Sequence, residues 1–558
     1  MQIVIPMSGF GERFRRAGYT VPKPLIKIDG KPIIEHVIDM FPGENNFTFI
    51  CNQDHLDNPD YNMENILKNY CPMGKVVGIP PHKLGPIHAI QQIISELNLD
   101  EQIVVNYCDF TCYWDWQNFK KFVRNCACEG AIPAYKGFHP HTLGSTNYAY
   151  IREESGWVLD IQEKQPYTDN RMEEYASSGT YYFSSARIMN KAFEKIKEEN
   201  LNVGGEYYVS MAYKALLSEN NHVAVYPLQH FMQWGTPQDV AEYNGWSNAF
   251  RRMIEASEKE ANPVGSIVVP MAGLGQRFIR EGYNTTKPLI PVAGMSMVRK
   301  ATNDLPRAKQ YSFVLRQDMS GVEEISEELK QHYECVTLKV ISEITEGQAC
   351  TAQIGLEALK ETSFGGIEQP ITFGACDNGA IFDRAAFASL AKKKDVDVIV
   401  WGARGHANAI RHPEMFGWID ASDDGKINGI SVKKPLNDPE NDPIVIGTFT
   451  FTSVTAFENS VNRLIERDGR INGEFYLDSC VNDALELGLN CYLFEVDHFL
   501  SWGTPNDLKT FEYWQSCFHK WDGHPYRLEI DCSIPENYIE ALNERFGKMV
   551  PEELEALR

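Results

Sequence analysis

The chain has no run approaching the roughly 18 consecutive apolar residues that a membrane-spanning helix needs. Its start, Met1-Gln2-Ile3-Val4-Ile5-Pro6, lacks the basic n-region and small-residue cleavage site of a signal peptide. Cations are scarce: 53 Lys and Arg face 76 Asp and Glu, for a formal charge of −23. That deficit counts against a nucleic-acid platform, whose affinity needs a Lys/Arg field to displace counterions. It leaves room for small phosphorylated ligands, which a few local cations can hold. Cysteine is sparse and odd in number, 13 in 558 residues. Cys108/Cys112 and Cys126/Cys128 are the nearest pairs, and neither has a second pair at zinc-finger spacing. Reduced thiols in a cytoplasmic protein are the expectation. With 43% hydrophobic and 23% charged residues, the composition is globular.

What the chain does have is a repeat of itself. Val4-Ile5-Pro6-Met7-Ser8-Gly9-Phe10-Gly11-Glu12-Arg13-Phe14 returns as Val268-Val269-Pro270-Met271-Ala272-Gly273-Leu274-Gly275-Gln276-Arg277-Phe278. Lys23-Pro24-Leu25-Ile26 returns as Lys287-Pro288-Leu289-Ile290, and the Arg-to-Lys spacing is ten residues in both. Cys108-Asp109 matches Cys376-Asp377, Gly179-Thr180 matches Gly447-Thr448, and Gly205-Glu206-Tyr207-Tyr208 matches Gly473-Glu474-Phe475-Tyr476. Trp234-Gly235-Thr236-Pro237 matches Trp502-Gly503-Thr504-Pro505. A period of about 265 residues is far too long for a solenoid unit and implies two domains in tandem.

Within each copy, short apolar runs alternate with helix-like stretches. Strands are expected at Ile3–Pro6, Asn46–Cys51 and Gln102–Tyr107, and helices at Pro32–Met40 and Ile87–Leu97. The alternation predicts an α/β fold, each domain a mostly parallel mixed sheet flanked by helices. The expected boundaries are a first domain over 1–245, a helical connector over 246–263, a second domain over 264–515 and a C-terminal helical tail over 516–558. Pro551-Glu552-Glu553-Leu554 is expected to start a last helix there.

Gly9-x-Gly11-x-Arg13 directly follows a strand, where glycines let backbone N–H groups approach an anion and Arg adds a planar cation. A Rossmann dinucleotide fingerprint is excluded because no third Gly follows Gly11, and a Walker loop because no Gly-Lys-Ser/Thr does. The recurring Lys before Pro-Leu-Ile suits a point charge on phosphate. Thr236-Pro237-Gln238-Asp239 and Thr504-Pro505-Asn506-Asp507 read as helix starts, with Thr as N-cap and Pro at N1. His139-Pro140 and His412-Pro413 read as structural loop residues; Tyr207-Tyr208 and Phe475-Tyr476 as either pocket or core.

Gly-x-Gly-x-Arg followed by Pro22-Lys23-Pro24-Leu25-Ile26-Lys27-Ile28-Asp29-Gly30-Lys31-Pro32 resembles the N-terminal signature of sugar-1-phosphate nucleotidyltransferases. Leu84-Gly85-Pro86-Ile87-His88-Ala89-Ile90, and Glu346-Gly347-Gln348-Ala349 in copy two, resemble that family's second nucleotide-contacting loop. Glu163-Lys164 and Ser178-Gly179-Thr180 resemble its sugar-phosphate stretch. The resemblance implies two tandem Rossmann-like, GT-A-like nucleotidyltransferase domains. It also implies Mg2+- or Mn2+-dependent transfer from an NTP to a sugar 1-phosphate or similar small molecule, releasing pyrophosphate, for polysaccharide or glycan precursors.

The implied catalytic groups are Arg13, Lys23 and Asp109, with Arg277, Lys287 and Asp377 in copy two; Asp109 and Asp377 are the implied metal ligands. Gly9, Gly11, Gly85, Gly273, Gly275 and Gly347 would contact nucleotide. Glu163, Lys164, Gly179, Thr180 and Glu206, with Lys433, Gly447 and Glu474, would contact the acceptor. The family's second metal-binding Asp is Gln233 here and Ser501 in copy two; either a neighbouring acid substitutes, Asp478 in copy two, or a single carboxylate plus substrate phosphates suffices for Mg2+. Copy two also has Val432 in place of Glu163 and Thr286 in place of Pro22. Two alternatives stay open: one catalytic domain fused to a degenerate binding copy, and a non-catalytic nucleotide-sugar sensor. Neither a nucleic acid nor a membrane partner is expected, and homo-oligomerisation is left open.

Overall fold

The computed structural model describes residues 1–145, 147–255, 263–363 and 366–547. The chain divides into two compact units, residues 1–247 with 545–558, and residues 248–544. Of the expected connector, residues 256–262 lie outside the described residues, and 246–255 continue a helix, Pro237–Glu255. The expected helix at Pro551 also lies outside them, whereas a helix does form over Glu536–Gly547. No described helix is long and apolar enough to cross a membrane.

Unit 1 is organised on a ten-stranded sheet. Its first half runs Lys75–Ile79, Phe47–Asn52, Gln2–Met7, Ile103–Asn106, all parallel. The order continues through Thr180–Phe183, Gly130–Tyr135, Val223–Leu228, Trp157–Glu163, Ala149–Glu154 and Tyr175–Ser177. Ile3, Val4, Ile5, Val104 and Val105 have no exposed surface, because helices cover both faces of this half. Ile87 and Ile90 of the helix Pro86–Gln92 pack with Met189 and Phe193 of Ala186–Glu198 in one apolar cluster. Each such fully buried side chain contributes about 1.5–3 kcal/mol. Ser185 starts its helix by accepting from the Ile188 N–H at 3.2 Å, and Asp115 does the same for Trp116–Cys126 through Asn118 at 2.9 Å.

The sheet is less parallel than the sequence suggests. Among the described residues, this sheet has four parallel strand pairings and six antiparallel ones. Thr180–Phe183 enters between Ile103–Asn106 and Gly130–Tyr135 antiparallel to both. A strand buried on both faces reads as the same apolar run in either direction, so the sequence pattern carries no sign of the reversal.

Unit 2 repeats this plan. Its strands lie in the order Val336–Ile341, Gln310–Arg316, Ser266–Pro270, Ile371–Phe373, Ile444–Phe451, Val398–Ala403, Cys491–Glu495. Each neighbouring pair has the same sense as its counterpart in unit 1. A hairpin of Gly417–Ala421 and Ile427–Val432 stands where unit 1 pairs Ala149–Glu154 with Trp157–Glu163.

Gln2–Met7 and Ile103–Asn106 are parallel neighbours, in register at Ile3↔Val104 and Val4↔Val105. Their carboxyl ends therefore open on one edge, delivering Ser8–Gly11 and Cys108–Asp109 to the same place. Ligand crevices in open α/β sheets form at such edges.

Candidate active site

A cleft of about 650 Å³ opens at that edge. Ser8, Gly9, Phe10 and Gly11 line it, with Arg13, Lys23, Gly85 and Asp109, and further along Glu163, Lys164, Gly179, Glu206, Tyr208 and Gln233. Eleven of the unit 1 residues singled out from sequence thus converge on one cavity: Gly9, Gly11, Arg13, Lys23, Gly85, Asp109, Glu163, Lys164, Gly179, Glu206 and Gln233.

The glycine loop is shaped by one residue in particular. Gly11 adopts φ 61°, the left-handed region, and from there starts the short helix Glu12–Arg16. A side chain at Gly9 would meet no protein atom within 4 Å, so glycine there keeps the cleft floor open. Arg13 is exposed and is paired with no described acid. Lys23 is different. Buried Pro24 and Leu25 anchor its turn, and its Nζ donates to Asp109 Oδ2 at 2.5 Å. The Asp109 carbonyl accepts from the Trp234 N–H at 2.9 Å, which holds the carboxylate beside Gln233 and Gly235.

Gly85, at φ 83°, presses on the chain near Glu206: a Cβ there would lie 2.7 Å from the Tyr207 nitrogen. The contact is fixed by Tyr207 N–H donating to Leu84 O and Ile87 N–H to Tyr207 O. The nucleotide-like loop and the acceptor-like stretch are thereby tied together.

In the same cleft, Glu163 accepts a hydrogen bond from Ser210 Oγ at 2.6 Å. Burial raises its carboxyl above the usual carboxylate range, against the opposing pull of Ser210 and Lys164. Lys164 follows at φ 59°, its N–H held by Tyr148 O at 2.8 Å and its Nζ by Tyr208 Oη at 2.6 Å. The Tyr208 hydroxyl in turn donates to Glu206, and burial followed by that carboxylate raises its pKa.

Thr180 is a correction. It was expected to contact the acceptor, but it is fully buried and its hydroxyl donates to the Asn106 side chain. Strand alternation sends it inward while Gly179 faces the cleft. Of the aromatic pair, Tyr208 lines the cleft and Tyr207 does not. His139 is buried against Tyr135, which lowers it to about 4. Asp239 accepts from Thr236 N–H, Thr236 Oγ and Gln233 Nε2 at 2.9, 2.6 and 3.0 Å, the arrangement of a helix start.

Sequence reading missed Tyr148 and Ser210, which hold Lys164 and Glu163 in place. Tyr148 precedes a strand whose Ala149 pairs with Glu163, a register that no spacing rule predicts.

Unit 2 carries the equivalent set. Lys287 pairs with Asp377 and also donates to Gly503 O at 3.3 Å. Burial pulls the Lys287 ammonium down, but Asp377 and Cys376 together carry it above its ordinary value. Trp502 N–H donates to Asp377 O at 2.9 Å, and Gly275 takes φ 63° beside Lys287. Gly273, like Gly9, has open space around it, and Gly347 presses on Phe475 as Gly85 does on Tyr207. Gly447, at φ 81°, lies beside Asn378 and Ala375. Lys433 takes φ 61°, its N–H bonded to Phe416 O at 3.0 Å. Burial pulls the Lys433 ammonium below its ordinary value, against the opposing pull of Asp478 and Glu474, and burial followed by Glu474 raises Tyr476. Arg277 is paired with no described acid, and its charge opposes that of Lys433.

Asp478 corrects a second expectation. It does not stand in for the missing metal-binding acid, because it faces Lys433 and packs on Gly417, whereas Ser501 lies by Gly503 and Asp377. No described group of three or more His, Cys, Asp or Glu forms a metal-type cluster.

Against known proteins, the family match falls on the first unit. Residues 3–244 match the Nucleotidyl transferase family. Similar relatives include the bifunctional protein GlmU of Methanocaldococcus jannaschii, 24% identical over 250 residues, covering 44% of this chain and 53% of the relative. The mannose-1-phosphate guanylyltransferase catalytic subunit beta of Xenopus tropicalis is 25% identical over 252 residues, covering 43% of this chain and 62% of that protein. The chain therefore spans about half to three fifths of these relatives. A solved nucleoside-diphosphate-sugar pyrophosphorylase from Vibrio cholerae RC9 has 19% identity and a TM-score of 0.35, covering 44% of this chain and 99% of its own. The matched family and the guanylyltransferase relative are nucleotidyltransferases, enzymes that transfer phosphorus-containing groups.

Proposed function

We propose that unit 1 transfers a nucleotidyl group from an NTP to a sugar 1-phosphate, giving an NDP-sugar and pyrophosphate. The observation that carries this reading is the set of charged groups lining one cleft. Arg13 is unpaired there, Lys23 pairs with Asp109, and Lys164, Glu163 and Glu206 line the same cavity.

The chemistry follows from those groups. An oxygen of the acceptor phosphate attacks the α-phosphorus of the NTP; a new P–O bond forms, the α–β bridging bond breaks, and pyrophosphate leaves with the electron pair. Such a transfer asks the protein for positioning and charge neutralisation rather than covalent catalysis. Open Gly9 lets backbone N–H groups approach the triphosphate, and Arg13 is free to meet the departing pyrophosphate. Lys23 faces the reacting phosphoryl group, held there by Asp109. Lys164 holds the incoming phosphate, and Glu163 and Glu206 accept from sugar hydroxyls.

Mg2+ is commonly held by one or two carboxylates plus substrate phosphates, which suits Asp109. When bound, it would neutralise charge on the reacting phosphates. The mannose-1-phosphate and GlmU relatives support a sugar-phosphate acceptor and a role in nucleotide-sugar supply.

The test is a pyrophosphate-release screen of four NTPs against sugar 1-phosphates, on the wild type and on Arg13→Ala. The expected result is release with at least one pair and at least a tenfold loss in the variant. Unchanged turnover in Arg13→Ala would overturn the assignment.

A further inference from the structure

The two acceptor stretches differ at three positions. In unit 1, Ala149 and Glu163 are cross-strand partners, and the Glu163 carboxylate meets the Ser210 hydroxyl from the facing helix segment. In unit 2 the same register pair is Gly417 and Val432, and the facing position is Asp478. The carboxylate thus comes from the helix wall instead of the strand.

Gly417 makes the room for it. A Cβ at Gly417 would lie 2.2 Å from Asp478 Oδ2, so an alanine such as Ala149 could not coexist with this carboxylate as placed. Asp478 accepts no hydrogen bond from any described side chain; burial is the largest influence on its carboxyl, opposed by the Lys433 ammonium and by its own backbone N–H. A desolvated carboxylate held only by these keeps acceptor capacity that a donor from a ligand can fill. Arg277 and the Lys287–Asp377 pair keep the form they have in unit 1, and Lys433 keeps its left-handed backbone, while its Nζ donates to Met415 O at 2.5 Å where Lys164 donates to Tyr208.

We propose that unit 2 holds a second nucleotidyl-transfer site whose acceptor is read by Asp478. The acceptor is a phosphorylated sugar or polyol with a hydroxyl donor turned to the helix wall and a deoxy, methyl or methylene edge against Val432. The bonds made and broken are those written above for unit 1. The inference rests on the nucleotidyl-transfer reading of that unit. It assigns the second site a different acceptor, because a hydroxyl that satisfies Glu163 would face apolar Val432 here. A buried polar group left unpaired by the wrong substrate is a strong source of discrimination.

The experiment uses the full chain and measures pyrophosphate release with four NTPs. The acceptor probes are glucose 1-phosphate, mannose 1-phosphate, N-acetylglucosamine 1-phosphate, the 6-deoxy sugar fucose 1-phosphate and glycerol 3-phosphate. Asp109→Asn and Asp377→Asn disable the sites one at a time. Release should persist in Asp109→Asn with an acceptor that Asp377→Asn no longer uses. In the Asp109→Asn background, Asp478→Asn should lower kcat/KM at least tenfold, chiefly through the acceptor KM. Transplanting the unit 1 wall, Gly417→Ala with Val432→Glu and Asp478→Ser, should shift acceptor preference at least tenfold toward the one unit 1 uses. The two variants alter the wall differently, so a folding failure in one leaves the other as the test. Loss of all release in Asp109→Asn alone overturns the second site and leaves the unit 1 reading standing. Unaltered acceptor preference in the transplant overturns the role of Asp478. A wild type inactive with every pair overturns both readings.

Discussion

Lys23 and Asp109 are 86 residues apart in the chain, and their side chains meet at 2.5 Å on the edge where two parallel strands end. Lys287 and Asp377 repeat the relationship in unit 2. A mobile ammonium held by one carboxylate is aimed before any substrate arrives, while Arg13 is left free to respond to it.

That relationship predicts unequal effects of removing the two cations. Lys23→Ala should lower kcat at least tenfold and also lower thermal stability, since it leaves the partly covered Asp109 unpaired. Arg13→Ala should lower pyrophosphate release similarly, with melting temperature unchanged. Single-turnover kinetics and calorimetry on both variants separate the two.

Burial raises the Glu163 carboxyl above its unfolded value, so its contribution to stability is present at low pH and lost as pH rises through the folded-state pKa. Glu163→Gln removes that penalty. Relative to wild type, the variant should gain melting temperature at pH 8 and gain less or none at pH 4, while losing acceptor affinity. An equal shift at both pH values contradicts the burial account.

Gly85→Ala should destabilise unit 1 by at least about 2 kcal/mol, combining a left-handed backbone with a clash on Tyr207. Gly9→Ala meets no protein atom and should leave stability unchanged while weakening NTP binding. Thermal melts with and without NTP read both effects.

Gln233 offers an amide where a second carboxylate would strengthen cation binding. Chelation by EDTA should stop release and Mg2+ should restore it. Gln233→Asp would set a second acid against Asp239, which now accepts from Gln233 Nε2 at 3.0 Å. Its melting temperature should fall in EDTA and rise more than that of wild type on adding Mg2+.

Much of the site is legible in the residues themselves. Glycine, arginine and lysine at fixed spacing after an apolar run name an anion-handling loop, and its second appearance makes accident a poor explanation. Strand and helix positions in the first half of unit 1 follow from apolar runs and caps. Thr180, Tyr148 and the antiparallel strand Thr180–Phe183 were not legible, because each depends on which strand lies alongside and in which direction.

The amino-acid sequence by itself determined the chemical inventory of this protein, its duplication and the order in which phosphate-handling groups occur along each copy. These are local properties, carried by residue type and spacing. Only the tertiary structure decided which groups meet: Lys23 with Asp109, Glu163 with Ser210, and Asp478 with the gap over Gly417. Strand register is cooperative and long-range. A one-residue slip would turn every side chain to the other face, so the same inventory becomes a site in one register alone.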